Sequence, residues 1–153
     1  MKLLLDTTYF LPAIGISIKE LPNDAPIKLL AKGHHISVSQ ITLFELSAKG
    51  AKYVNNSMLL PETVAEGIRA IVHDDEIETI PIHDSKLLLT SFKLRNALTD
   101  FIDCLIVSSA VNYCDALITE DNDIQNLTKN RKLSEFIAMT NPIFKIQTLA
   151  EIM

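Results

Sequence analysis

The chain has 153 residues, of which 48% are hydrophobic and 22% are charged, a composition that can bury a core and excludes a disordered chain. The formal net charge of −5 argues against a protein whose main task is to coat nucleic acid, because phosphate contacts need Lys and Arg. It does not exclude a nuclease, whose site must be acidic to hold cations. The length predicts a single domain over residues 1–153.

Short apolar runs alternate with longer helical periodicities along the chain, which is typical of a parallel α/β sheet. The predicted strands are residues 2–6, 36–39, 77–82, 116–119 and 142–146. Helices are predicted over residues 61–72, 84–95 and 99–114, the last with Thr99 as its cap. A short helix capped by Thr7 or Thr8, a helix that ends near Gly33, a helix from Asp123 towards Ile137 and a short terminal helix are also predicted. A further helix begins at Ser39 and has Ile41, Phe44, Ala48 and Ala51 on one face. The pattern predicts a three-layer α/β/α sandwich around a central, mostly parallel sheet of four to five strands.

The cysteine usage and hydropathy indicate a cytoplasmic protein. Cys104 and Cys114 lie in one predicted helix, about 15 Å apart along its axis, which is too far for a disulfide. They are expected to be reduced apolar fillers. Asp6 interrupts the first apolar run too early for a signal peptide, and no run approaches the roughly 18 apolar residues of a membrane span.

Two acids follow predicted strands. Asp6 closes the first strand, and Asp121 lies just past the fourth, in the acidic stretch "ITEDNDI". Ligands of open parallel α/β sheets bind outside the carboxyl ends of the strands, so we expect these carboxylates to converge. Carboxylate oxygens are the ligands that Mg²⁺ prefers in proteins.

Two further acids lie inside apolar stretches, Glu45 in "LFELSAKG" and Asp103 in "FIDCLIVSSAV". Acids are almost never fully buried unless they are paired, so both positions favour a functional interpretation. Asp103 is also near its helix N-terminus, where the helix dipole reduces the cost of a negative charge. Neither acid stands at a helix-cap position.

The remaining acids and two threonines have an ordinary structural alternative. Asp6, Asp100 and Asp123 could each cap a helix, and for Asp100 and Asp123 this is at least as good an interpretation as metal binding. Thr7 and Thr119 could either support a ligated water or close their turns. The residues alone therefore predict a metal-dependent acid site suited to phosphoryl chemistry, without separating a nuclease from a phosphatase.

Three stretches, "LLLDTTYF", "SQITLFELSAKG" and "DCLIVSSAVNYCDALITEDND", resemble in order and spacing the motifs of the PIN domain family, which includes ribonuclease toxins of VapC type. The resemblance implies the α/β/α fold and an endoribonuclease that uses Mg²⁺ or Mn²⁺ to activate water. It assigns Asp6, Glu45, Asp103 and Asp121 as catalytic metal ligands and Thr7 and Thr119 as small polar supports. Asp100 and Asp123, from the interpretation of the residues above, complete the candidate supporting residues. The resemblance also implies an RNA substrate, a homodimer and a small antitoxin partner.

The sequence departs from the resemblance at Glu120, where many toxin members carry Arg or a similar residue. Two alternatives stay open. A phosphatase of the haloacid dehalogenase type also opens with a strand ending in Asp, but it needs a second Asp where this chain has Thr8. The other alternative is a non-catalytic PIN-like module that binds RNA or a protein partner.

Overall fold

A five-stranded, entirely parallel sheet forms the centre of the protein, in a computed structural model that describes residues 1–153. The strand order is β3-β2-β1-β4-β5, so β1 lies in the middle, paired with β2 on one side and β4 on the other. The strands are β1 (Lys2–Leu5), β2 (His35–Ser39), β3 (Ile77–Ile80), β4 (Ala116–Ile118) and β5 (Lys145–Gln147). The predicted parallel α/β sheet is confirmed.

Eight α-helices and two 3₁₀ segments accompany the strands, and all but the terminal helix lie in connections between them. The helices are α1 (Ala25–Ala31), α2 (Gln40–Asn55), α3 (Pro61–Val72), α4 (Ser85–Leu94), α5 (Phe101–Tyr113), α6 (Asn122–Gln125), α7 (Arg131–Thr140) and α8 (Leu149–Ile152). The 3₁₀ segments are Thr7–Ile14 and Asn126–Lys129. None of these helices is both long enough and apolar enough to cross a membrane.

Two apolar clusters cover the two faces of the sheet and make the three layers. Leu4 and Leu117 point to the cluster formed with α4, α5 and α7, whereas Leu3 and Leu5 point to the opposite cluster. That second cluster is filled from the first 3₁₀ segment, α1, α2, α3 and α8. Successive residues of β1 alternate between the faces, as the period of a strand requires. Both faces are buried, which explains why the strands are continuously apolar.

The first 3₁₀ segment packs into the core. Tyr9, Phe10, Leu11 and Ile14 are all buried, so the apolar run "YFLPAIGI" contributes to the interior and not to an exposed patch. Its N-cap is Asp6, which accepts the Thr7 N–H, so among the predicted candidates Asp6, Thr7 and Thr8 it is Asp6 that caps the segment. Gly15 ends the segment at a φ of 96°, a left-handed conformation that favours glycine.

Helix α2 occurs where the sequence predicts it, but it buries a different face from the apolar one. Its buried residues are Thr42, Leu46 and Gly50, while Phe44 is 62% exposed. A Cβ atom at Gly50 would lie 2.4 Å from a methyl carbon of Val64, so α2 and α3 approach each other more closely there than any larger residue permits. The close contact at Gly50 therefore turns this face of α2 towards α3.

The predicted helix from Asp123 towards Ile137 is interrupted. Helix α6 ends at Gln125, and the 3₁₀ segment that follows it ends at Lys129. Asn130 then caps α7 by accepting the Leu133 N–H at 3.3 Å. Asp121, and not the predicted Asp123, caps α6. Asp100 caps α5, which confirms one of the two predicted candidates, Asp100 and Thr99.

Candidate functional site

Asp6 lies at the carboxyl end of the central strand and is 8% exposed. Its Oδ1 accepts the Thr7 backbone N–H at 2.7 Å, and its Oδ2 accepts the Thr119 hydroxyl at 2.6 Å. Its own backbone N–H donates to the Ile118 carbonyl at 3.1 Å and continues the pairing of β1 with β4. The carboxylate is thus fixed in orientation on both oxygens.

Asp121 follows β4 and is exposed. Its Oδ1 accepts the backbone N–H groups of Asp123 at 2.8 Å and Ile124 at 3.0 Å, which satisfies free donors at the start of α6. Its backbone N–H donates to Thr119 Oγ1 at 3.1 Å. The Thr119 hydroxyl therefore bonds both Asp6 and Asp121, and it joins the two strand ends that the sequence analysis expected to converge.

Asp103 lies in the first turn of α5 and is half-buried. Its pKa is raised to about 7, chiefly by burial and in addition by the negative charges of Asp100, Asp121, Asp6 and Glu45, in that order of size. Glu45 is half-buried in α2. The charges of Asp6, Glu45 and Asp121, the other three predicted metal ligands, therefore all act on Asp103.

Burial also raises the pKa of Asp6, although the hydrogen bonds from Thr119 and Thr7 oppose the shift. The charges of Glu45 and Asp121 add to the increase. The structure thus brings Asp6, Glu45, Asp103 and Asp121, here named the acid set, into electrostatic range of one another. The three ion pairs of the protein, Lys2–Glu78, Lys28–Asp24 and Arg131–Glu135, include no member of the acid set. Its negative charge has no basic side chain as a partner.

The acid set is not a preformed coordination shell. Nowhere in the protein do three Asp, Glu, His or Cys side chains stand close enough together to hold a metal ion as they are placed. Charges influence one another over longer distances than coordination bonds span, so this finding and the mutual pKa effects agree. A cation would have to draw the carboxylates closer together than the structure places them.

Three of the predicted supporting residues form hydrogen bonds that stabilise the fold. Asp100 caps α5 by accepting the Ile102 N–H at 2.9 Å. Thr7 is buried, and its hydroxyl donates to Thr42 Oγ1 at 3.2 Å, which ties the first 3₁₀ segment to α2. Thr119, which is fully buried, is the one that contacts the acid set through its side chain.

A polar cavity of about 500 Å³ adjoins the acid set. Asp103 lies in its wall, whereas Asp6, Glu45 and Asp121 do not. Its other lining residues are Ala97, Leu98, Thr99, Asp100, Asp123, Asn126, Leu127 and Asn130. Asp123 is exposed here in the first turn of α6, so the structure places it beside Asp103 in the cavity.

Glu120 has a role that the sequence did not reveal. Its Oε1 accepts the Tyr9 hydroxyl at 2.7 Å and the Leu149 backbone N–H at 3.0 Å, although the residue is exposed. Burial and this carboxylate raise the pKa of Tyr9, so the phenol stays a donor at neutral pH. Both partners are distant in sequence, and no local pattern could have identified them.

The comparisons with known proteins agree with this fold. One chain in the crystal structure of VapBC2 from Rickettsia felis bound to a DNA fragment from their promoter is similar, with a TM-score of 0.59 and 21% identity. The likeness covers 97% of this chain and 98% of that chain, and at this identity it shows the fold alone. No curated protein matches the sequence. The family model of the PIN domain matches residues 3–130, which include all four members of the acid set, and the chain belongs to the PIN domain family.

Proposed function

We propose that the protein is an endoribonuclease that depends on Mg²⁺ or Mn²⁺ and that its active site is the acid set. One observation carries the proposal. Four carboxylates lie within electrostatic range of one another, two of them have raised pKa values, and none has a basic partner. Such repulsion destabilises the fold unless a cation compensates it, which makes the acid set a functional candidate.

The donors fit a hard divalent cation. All four offer carboxylate oxygens, which Mg²⁺ and Mn²⁺ prefer over nitrogen or sulfur. Asp6 would hold the cation from the centre of the sheet, Asp121 from the next strand end, and Asp103 and Glu45 from α5 and α2. When bound, such an ion lowers the pKa of a coordinated water and neutralises charge on a phosphodiester.

The protein's own residues would set the geometry of this site. Thr119 holds Asp6 and Asp121 in register, and the Thr7 N–H fixes the second oxygen of Asp6. The raised pKa of Asp103, at about 7, means that a fraction of this carboxyl is protonated near neutrality until a cation displaces the proton. Metal binding is therefore expected to release a proton from Asp103.

RNA as substrate, a small antitoxin as partner, a cytoplasmic location and a homodimer are the finer parts of the proposal. Membership in the PIN domain family supports a nuclease. The similar chain comes from VapBC2 bound to promoter DNA. This likeness supports the proposal that the present chain is the toxin of a toxin–antitoxin pair. The family match also favours this function over the phosphatase alternative. Sedimentation of the purified chain, alone and with the product of a neighbouring short gene, tests the dimer and the partner.

Cleavage of a labelled single-stranded RNA tests the activity. We expect cleavage with Mn²⁺ or Mg²⁺, none with EDTA, and loss of cleavage in Asp103→Asn, which keeps the shape of the side chain but cannot carry its charge. The control is Asp75→Asn, an exposed acid in the turn before β3, which should cleave like the wild type. Equal cleavage by the Asp103→Asn variant would refute the assignment of the site, and wild-type protein without nuclease activity would favour the non-catalytic alternative.

A further inference from the structure

Glu120 joins the loop that carries Asp121 to two separate parts of the fold. It lies in the loop of residues 119–121 between β4 and α6. One of its oxygens, Oε1, accepts both the Tyr9 hydroxyl at 2.7 Å and the Leu149 N–H at 3.0 Å. A single carboxylate therefore links the loop to the first 3₁₀ segment and to α8.

Both donors belong to the packed interior. Tyr9 is 3% exposed and Leu149 is 4% exposed, and both lie in the apolar cluster on one face of the sheet. The loop they hold is different, because Glu120 and Asp121 are exposed. The hydrogen bonds of Glu120 thus fasten an exposed loop to rigid neighbours, and hydrogen bonds to a charged acceptor are stronger than neutral ones.

The C-terminal segment takes part in this arrangement. Leu149 is the first residue of α8, where a backbone N–H has no partner within the helix, and Glu120 satisfies it. The neighbouring Gln147 carbonyl accepts the Thr119 N–H at 3.0 Å. Residues 145–153 thus contact the loop at two successive positions, although they lie outside residues 3–130 that match the family model.

We infer that Glu120 is a positioning residue, which holds Asp121 in place for the cation by joining the 119–121 loop to Tyr9 and α8. The inference rests on the proposed function for its consequence, because it concerns a ligand of the proposed metal. Asp121 is the next residue in the chain, so a loop that moves takes the Asp121 carboxylate with it. Partners that orient a ligand typically change metal affinity by about 10- to 100-fold when they are removed.

A role through charge alone makes a different prediction. Glu120 and Glu20 both line a cavity of about 590 Å³ beside Leu149, and Glu20 is exposed. If Glu120 acted only by its negative charge, Glu120→Gln would resemble Glu120→Ala. A Gln side chain keeps an oxygen that can accept both hydrogen bonds. If Glu120 acts by positioning the loop, Glu120→Gln should therefore keep most of the order of the loop and most of the metal affinity.

The experiment measures two properties of the RNA-free protein in Glu120→Ala, Glu120→Gln and Tyr9→Phe, with Glu20→Ala as the matched control. The first is hydrogen exchange of the Asp123 and Ile124 amides in metal-free protein, which reports the loop without any metal. The second is Mn²⁺ affinity by calorimetry. We expect Glu120→Ala to exchange at least about tenfold faster and to bind Mn²⁺ about 10- to 100-fold more weakly.

In the same experiment Glu120→Gln should stay within about threefold of the wild type in both properties, with Tyr9→Phe between them. Glu20→Ala should be unchanged. Unchanged exchange in Glu120→Ala, or equal loss in Glu120→Gln and Glu120→Ala, would overturn the inference. If wild-type protein binds no Mn²⁺, the proposed function fails, and the exchange rates alone decide whether Glu120 positions the loop.

Discussion

The Thr119 hydroxyl donates a 2.6 Å hydrogen bond to Asp6 Oδ2, and its own oxygen, Thr119 Oγ1, accepts the Asp121 N–H at 3.1 Å. This one buried side chain connects the ends of β1 and β4, which are neighbours in the sheet but 113 positions apart in the chain. The relationship explains how two acids that belong to separate sequence motifs reach one edge of the sheet.

Thr119→Val should destabilise the protein and disorder the acid set. Valine has the same shape but leaves the buried Asp6 oxygen without its donor, which costs about 1–3 kcal/mol in free energy of unfolding. Urea denaturation measures the change. Thr119→Ser keeps the hydroxyl and is the control, and a valine variant as stable as the serine variant would contradict this role.

The effect of Asp103 on the stability of the metal-free protein should change with pH in a defined direction. Its folded pKa of about 7 lies above the unfolded value of about 3.9, so the folded state holds the proton more tightly. The contribution of Asp103 to stability is therefore present at low pH and is lost as the pH rises between these two values. As the pH rises across this range, the thermal midpoint of the wild-type protein should fall relative to that of Asp103→Asn.

At pH 7.5 without metal, Asp103→Asn is thus expected to be at least as stable as the wild type. Asp75→Asn, which removes an exposed acid outside the acid set, should show the same pH profile as the wild type. A constant difference in thermal midpoint between wild type and Asp103→Asn from pH 4.5 to 7.5 would contradict a raised pKa for Asp103 in the folded protein.

Addition of Mn²⁺ should reverse this order of stability. A ligand that binds only the folded state stabilises it by about 2.7 kcal/mol at 100 times its dissociation constant. Wild-type protein should therefore gain in thermal midpoint with Mn²⁺ and lose the gain with EDTA. Asp103→Asn should gain little, and an equal gain in both proteins would place the cation elsewhere.

Gly67→Ala should destabilise the protein, against the usual preference for Ala within a helix. A Cβ atom at Gly67 would lie 2.1 Å from the Ala13 carbonyl oxygen, so α3 would have to move away from the first 3₁₀ segment. Overpacking of this kind typically costs about 1–3 kcal/mol. Ala65→Gly on the exposed face of α3 measures the backbone effect alone. A stabilised Gly67→Ala variant would contradict the close contact.

Much of the fold could be predicted from the sequence because each strand is a short apolar run between helical periodicities. All five strands occur, with ends that differ by up to three positions, and the helix over residues 61–72 has the predicted bounds. The inward face of α2 could not be predicted, because Gly50 matters there through its fit against Val64. Hydrophobic spacing favoured Phe44, which the structure leaves at the surface.

The candidate site was predictable only in part. Asp6 and Asp121 could be assigned from their places after strands, and Asp103 from its apolar neighbours. Their convergence depends on the pairing of β1 with β4, which the sequence does not state. The role of Glu120 was missed because its partners, Tyr9 and Leu149, lie 111 and 29 positions away. Asp121 was expected to leave capping to Asp123, but it performs the capping itself.

The measurement that tests the proposed metal site most directly is calorimetric titration of Mn²⁺ into RNA-free wild-type, Asp103→Asn and Asp75→Asn proteins at pH 7.5. We expect saturable binding with proton release in the wild type and in Asp75→Asn, and affinity at least about tenfold lower in Asp103→Asn. Absence of binding to the wild type, or equal affinity in Asp103→Asn, would contradict the assignment of these carboxylates to a metal site.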